Sequence, residues 1–263
     1  MSSDINNPLL SDLKLPGRIF QLPSKGLFYH NDELEDDVTE AEIHVHPLSA
    51  MDEIILKNAD QLFSGEAVKN VFPRCMTGIK NPTKLLAKDV DALTLFLRLV
   101  TYGAGYEFIA KHNCEGAKDH NYVADIEQML SRIKPIDPTT IEQDFTITLP
   151  NGQVVKIRPY RYEDVIAMNK HNMGKTSLTI EDMQANLLAA VSGMILSVNG
   201  VTDRNYLDQW VKRLPAIYLG RLAEKMKVLE SWGPDLVWEA KCKDCGETFK
   251  VEVPINPITF FTE

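Results

Sequence analysis

The chain has 263 residues, 44% of them hydrophobic and 25% charged, enough to bury one large core or two smaller ones. A formal net charge of −9 and an isoelectric point near 5.2 argue against a general nucleic-acid binder, whose footprint would be basic. Among charge runs only the acidic stretch Asp32 to Asp37 stands out, and it reads as a solvated turn. Apolar runs stay well short of the roughly 18 residues that a membrane span needs. Met1 to Leu15 lacks the basic and apolar regions of a signal peptide. Four cysteines, two of them in C-x-x-C, suit a reducing cytosol better than a disulfide scaffold. A soluble cytosolic protein is expected.

Residues 1–17 are polar, hold Pro8, Pro16 and Gly17, and read as a flexible N-terminal arm. Arg18 to Leu22 reads as a strand entering the turn Pro23-Ser24-Lys25-Gly26, followed by Leu27-Phe28-Tyr29. Ala41 to His46 alternates as a second strand, Pro47 ends it, and Ser49 is placed to cap a short helix with Asp52 and Glu53. Helical periodicity follows near 65–76, where Cys75 reads as a small core residue. It is stronger near 88–102, where Val90, Leu93, Leu97 and Val100 share a face. Tyr106 to Ala110 leads into a turn holding Cys114 and His120, and Tyr122 to Ile126 leads out of it.

After a connector at 135–144 the same grammar begins again. Phe145 to Leu149 and Val154 to Arg158 flank Pro150-Asn151-Gly152 as a hairpin. Pro159 follows, then a short helix with Glu163 and Asp164. Helices are predicted near 179–197 and 203–231, the second interrupted at Pro215. Leu22-Pro23-Ser24-Lys25-Gly26 answers Leu149-Pro150-Asn151-Gly152, His46-Pro47 answers Arg158-Pro159, and Cys114 answers Cys242 and Cys245. The predicted fold is α+β with two similar halves, 18–134 and 145–263. Each half is a β-hairpin, a small helical cluster and a terminal hairpin.

The strongest chemical signal is Cys242-Lys243-Asp244-Cys245-Gly246, followed by the alternating Thr248 to Val253. C-x-x-C-G on a hairpin is half of a zinc-ribbon site, and a structural zinc wants four ligands. If the two halves converge, Cys114 and His120 complete a Cys₃His set with Cys242 and Cys245, and His112 is the spare candidate. The competing reading is a relic knuckle whose partner has decayed, because Glu115 to Ala117 stand where a further cysteine would be expected. Any zinc here would be structural, four protein ligands leaving no open position. Gly174-Lys175-Thr176 ends like a P-loop, but Asn169 replaces the first glycine and the preceding segment reads as helix. No spacing points to an active site, and a non-enzyme is expected. Phe260 and Phe261 are either tucked into their own domain or offered to a partner.

Several segments together resemble the baseplate hub and tail-assembly family of T-even-like contractile-tailed bacteriophages. They are Leu22 to Tyr29, Pro47-Leu48-Ser49, Leu95 to Leu99 leading to Tyr102-Gly103, Cys242 to Gly246, and Asn256 to Phe261. The resemblance runs from about residue 18 to the end. It implies a late viral protein that acts in the host cytoplasm, or in the virion, by contacts with other hub and tail proteins, with an oligomer among the options. It also implies a second central C-x-x-C, from which Glu115 to Ala117 depart. The alternative class is a zinc-ribbon adaptor or regulator binding nucleic acid or a host protein. Against it, Lys241, Lys243 and Lys250 are offset by Asp244, Glu247 and Glu252.

Overall fold

A computed structural model describes residues 15–30, 32–38, 40–139, 145–172, 179–229, 231–255 and 260–261. Most of the N-terminal arm, part of the connector and the Gly174-Lys175-Thr176 segment lie outside the described residues. Within them the protein is mixed α+β, with helices packed on small antiparallel sheets. Strands β1 (Arg18–Gln21), β2 (Glu42–Val45) and β3 (Met76–Thr77) form the first sheet. The alternation in β2 does what its period demands: Ile43 and Val45 are buried while Glu42 and His44 face outward. Ser49 caps the helix Ala50–Leu56 through a reciprocal box with Asp52, as its position predicts.

The helix Ala87–Tyr102 is buried nearly all round, since Leu93, Leu95, Leu97 and Phe96 point in several directions into apolar surroundings. The single face read from Val90, Leu93 and Leu97 was therefore too narrow, because the helix runs through the core. The segment Leu22 to Tyr29 wraps around the start of this helix. Lys25 (φ 53°), Gly26 (φ 76°) and Phe28 (φ 68°) turn the chain through the left-handed region. That turn aims two donors at one buried carboxylate: Ser24 N–H reaches Asp89 Oδ1 at 3.0 Å and Tyr29 O–H reaches Oδ2 at 2.7 Å. The Tyr29 hydroxyl in turn accepts the Leu86 N–H at 2.7 Å, satisfying a free amide at the helix start.

Burial raises the Asp89 carboxyl to about 6 despite the two hydrogen bonds. Its folded value lies above the ordinary unfolded value of about 3.9, so the folded state holds more protons between pH 4 and 6, and stability falls as pH rises through that window. The wild-type minus Asp89→Asn difference in unfolding free energy, measured by urea titration, should fall by about 2 kcal/mol from pH 4 to pH 6.5. A flat difference would show that Asp89 does not titrate there. Tyr29→Phe, which strands a buried amide, should cost about 2 kcal/mol at any pH in that range.

The helix is followed by a long hairpin, β4 (Gly105–Ala110) with β5 (His120–Asp125), in the register Tyr106↔Ala124 and Phe108↔Tyr122. A second three-stranded sheet holds β6 (Thr146–Thr148), β7 (Val154–Ile157) and β8 (Ile195–Val198), with helices Tyr162–Asn172, Ile180–Met194, Arg204–Lys212 and Ala216–Leu229 around it. Strand β8 corrects the helix predicted to 197. Ile195 to Val198 continues the apolar run of the helix, but pairing with β7 takes it, with Val155 opposite Val198 and Ile157 opposite Ile195. The last hairpin is β9 (Val237–Lys241) with β10 (Thr248–Glu252).

One core gathers the first sheet, the Ala87–Tyr102 helix and the β4–β5 hairpin. It also takes in Ala240, Val253, Phe260 and Phe261 from the chain's end. A second core lies between β6–β8 and the later helices, from Phe145 to Met226. The terminal hairpin thus leaves its own sequence half and packs on the other. Phe260 and Phe261 are 0% and 1% exposed, which corrects their expected role as partner-binding residues. Their rings fill core space against Tyr106 and each other and are closed to partners in this fold. No helix among the described residues is long and apolar enough to cross a membrane.

Candidate metal centre

Two hairpins more than a hundred residues apart in sequence bring their tips together. On one, β4 ends at the inward Ala110, and His112 and Cys114 follow in a turn closed by Ala117 N–H to Cys114 O at 3.2 Å. On the other, β9 reaches the inward Ala240, and Cys242 and Cys245 follow in a knuckle. Cys242 N–H donates to Glu247 O at 2.8 Å, and Gly246 N–H donates to Cys242 O at 3.0 Å. Gly246 sits at φ 79°, where a side chain would be strained, so the tight turn uses glycine.

His112, Cys114, Cys242 and Cys245 offer ligand atoms that all lie within 4.8 Å of one another, a group that could hold a metal ion. Cys114 Sγ and Cys242 Sγ are 3.9 Å apart, and Cys245 Sγ and His112 Nδ1 are 3.3 Å apart. Thiolate and imidazole ligands around zinc at about 2.3 and 2.0 Å define a tetrahedron with edges of roughly 3.6–3.8 Å. Both distances fall close to that size, and the sulfur separation far exceeds the roughly 2.05 Å of a disulfide. All four cysteines of the chain are free.

The electrostatics favour one thiolate strongly. The backbone N–H of Cys245 and, behind it, that of Asp244 point at Cys242 and lower its thiol to about 6. Desolvation raises Cys114 to about 12, with the neighbouring Cys245 and Cys242 thiols adding to it. A bound cation would have to displace that proton, so affinity must fall with pH.

Of the residues expected from the sequence, Cys114, Cys242 and Cys245 enter the cluster. His120 does not, and His112 takes the fourth place. His120 Nε2 instead lies 2.9 Å from Asp244 Oδ1, and Lys118 N–H donates to Asp244 Oδ2 at 3.0 Å. Asp244 thus ties the two turns together behind the ligands, and both contacts, the Lys118 amide first, hold its carboxyl below the usual range. The His112 ring stacks on Phe249 with centroids 4.8 Å apart, which fixes its plane. In the structure His112 lies two residues past the buried Ala110, as Cys242 lies two past the buried Ala240. Cys75 is buried beside Asp52, and burial raises its thiol to about 12, consistent with an inert core residue.

No family model, curated protein or solved structure matches this chain.

Proposed function

We propose that the chain is a hub protein of a contractile phage-tail baseplate, or a factor that assembles that hub. In this reading it works through protein–protein contacts in the host cytoplasm and catalyses no bond change. A structural zinc on His112, Cys114, Cys242 and Cys245 holds the two terminal hairpins together as a zinc-ribbon-like pair of knuckles. The observation that supports the structural reading is the cluster itself: two distant hairpins supply four ligand atoms within 4.8 Å of one another, and four protein ligands around a zinc would leave no position for a substrate. The hub assignment itself rests on the sequence resemblance of Leu22 to Tyr29, Pro47-Leu48-Ser49, Cys242 to Gly246 and Asn256 to Phe261.

In the same reading the two halves are an internal duplication. His46 N–H bonds to Cys75 O and Arg158 N–H to Met194 O, at 2.7 and 2.8 Å, one residue beyond equivalent strand ends. Val45 pairs with Met76 as Ile157 pairs with Ile195. Ser49 N–H donates to Asp52 Oδ2 as Arg161 N–H donates to Asp164 Oδ2. From the strand to the helix start these pairs keep a spacing of 112 residues between the halves, and their partners on the third strand are 119 apart.

Quantitative mass spectrometry of purified particles beside the infected-cell lysate tests the function. A fixed copy number per particle makes the chain a hub component. Abundance in the lysate with none in particles, together with defective hubs when the gene is deleted, makes it an assembly factor. Normal particles from the deletion would overturn the proposal.

A further inference from the structure

A second site lies away from the metal cluster, between the two cores. A cavity of about 240 Å³ is lined by Lys88 and Asp91 of the Ala87–Tyr102 helix, by Tyr160, by Met168, Met194 and Met226, and by Trp232. Its walls are apolar and soft: three thioethers and an indole accommodate an irregular hydrocarbon well. Met194, Met226 and Trp232 are buried, so these walls belong to the packed interior.

Asp91 is the anomaly. It is half-buried and makes no hydrogen bond or ion pair with another described residue. Its carboxylate oxygens keep some contact with solvent and have no partner among the described residues, so they are available to a cation that enters the cavity. The cation that shares the cavity, Lys88, does not serve it. The Lys88 stem lies along Gly233, with Cβ, Cγ and Cδ within 3.0–3.2 Å of where a Gly233 side chain would begin. Burial dominates, raising the Asp91 carboxyl to about 6, and Lys88 lowers it only through its charge, without a salt bridge. Among the described residues no cation forms a salt bridge with it.

We propose that this cavity binds an alkylammonium group, the end of a lysine side chain or a small free amine, with Asp91 as counter-ion and Met168, Met194, Met226 and Trp232 around the hydrocarbon stem. An ammonium suits the site better than a guanidinium. It brings three N–H donors, which one carboxylate and water at the mouth can satisfy, whereas a guanidinium brings five in a fixed plane. Trp232 and Tyr160 put aromatic rings in the cavity wall, and such rings favour a cation. The inference does not rest on the hub assignment, because it uses only this cavity.

The test is calorimetric titration of the full chain with n-butylammonium chloride at pH 7.5, with n-butanol and sodium butyrate as controls. Saturable binding with a dissociation constant of about 1 mM is expected, because a ligand of so few atoms seldom exceeds that by much. Asp91→Asn should weaken it at least tenfold while leaving the melting temperature unchanged or higher, since the substitution breaks no hydrogen bond or ion pair with a described residue. A short lysine peptide compared with its norleucine counterpart separates the sources. Tighter binding of the lysine peptide than of the free amine assigns the site to a protein partner, and the reverse assigns it to a small amine. Absence of saturable binding, equal binding of butanol, or unchanged binding in Asp91→Asn overturns the proposal.

Discussion

Cys242→Ser is expected to release the bound metal and to lower the melting temperature by about 8–16 °C. Protein purified without added zinc should carry near one equivalent per chain, and the variant should carry none. A ligand present at a thousandfold its dissociation constant stabilises the folded state by about 4 kcal/mol. At about 2–4 °C per kcal/mol for a domain of this size, that gives the range above. Cys242 is the most informative of the four because it is buried and its thiolate already accepts two backbone N–H groups. Serine there keeps the size and loses the soft ligand. The histidines supply the internal control: His112→Ala should lose the metal, whereas His120→Ala should keep it and lose only the contact with Asp244. Acidification should release the metal, since protons compete for the thiolates. Metal-free wild-type protein with an unchanged melting temperature in Cys242→Ser would sink the zinc reading.

The contrast between the two histidines shows what sequence could and could not supply. C-x-x-C-G between alternating strands was legible because turn chemistry and period-2 burial are local. The choice between His112 and His120 depended on which way two turns face each other across more than a hundred residues, and no local pattern carries that. His120 begins β5 and meets Asp244, while His112 precedes the turn and meets Cys245. Strand β8 was read as helix for the same reason, since Ile195 to Val198 becomes a strand only through β7. The Ser24, Tyr29 and Asp89 network joins residues about 60 apart in sequence and left no periodic trace. The resemblance had marked Leu22 to Tyr29, and the structure supplies a physical reason for that turn: it delivers two hydrogen bonds to a buried carboxylate.

Phe260→Ala is expected to cost about 3–5 kcal/mol, the range for removing a fully buried aromatic, and to lower the melting temperature by roughly 6–20 °C. The ring is 0% exposed, meets Tyr106 edge-on at 4.8 Å and lies 5.5 Å beneath the Arg98 guanidinium. Alanine would leave a cavity beside a buried cation, so the upper half of the range is the better expectation. Backbone contacts extend the same attachment: Tyr102 O–H reaches Phe261 O at 3.2 Å and Tyr106 O–H reaches Pro254 O at 3.0 Å. These anchors sit at the exit of the hairpin whose other end presents Cys242 and Cys245. The hairpin is therefore held to the first core at both ends, by aromatic packing below and by the metal ligands above. With the two attachments on one short hairpin, loosening one is expected to weaken the other, and linkage makes that coupling reciprocal. Phe260→Ala should lower zinc affinity at least tenfold in competition with a chromogenic chelator, although it touches no ligand. Lost stability with unchanged zinc affinity would show that the tail and the metal cluster act as separate supports.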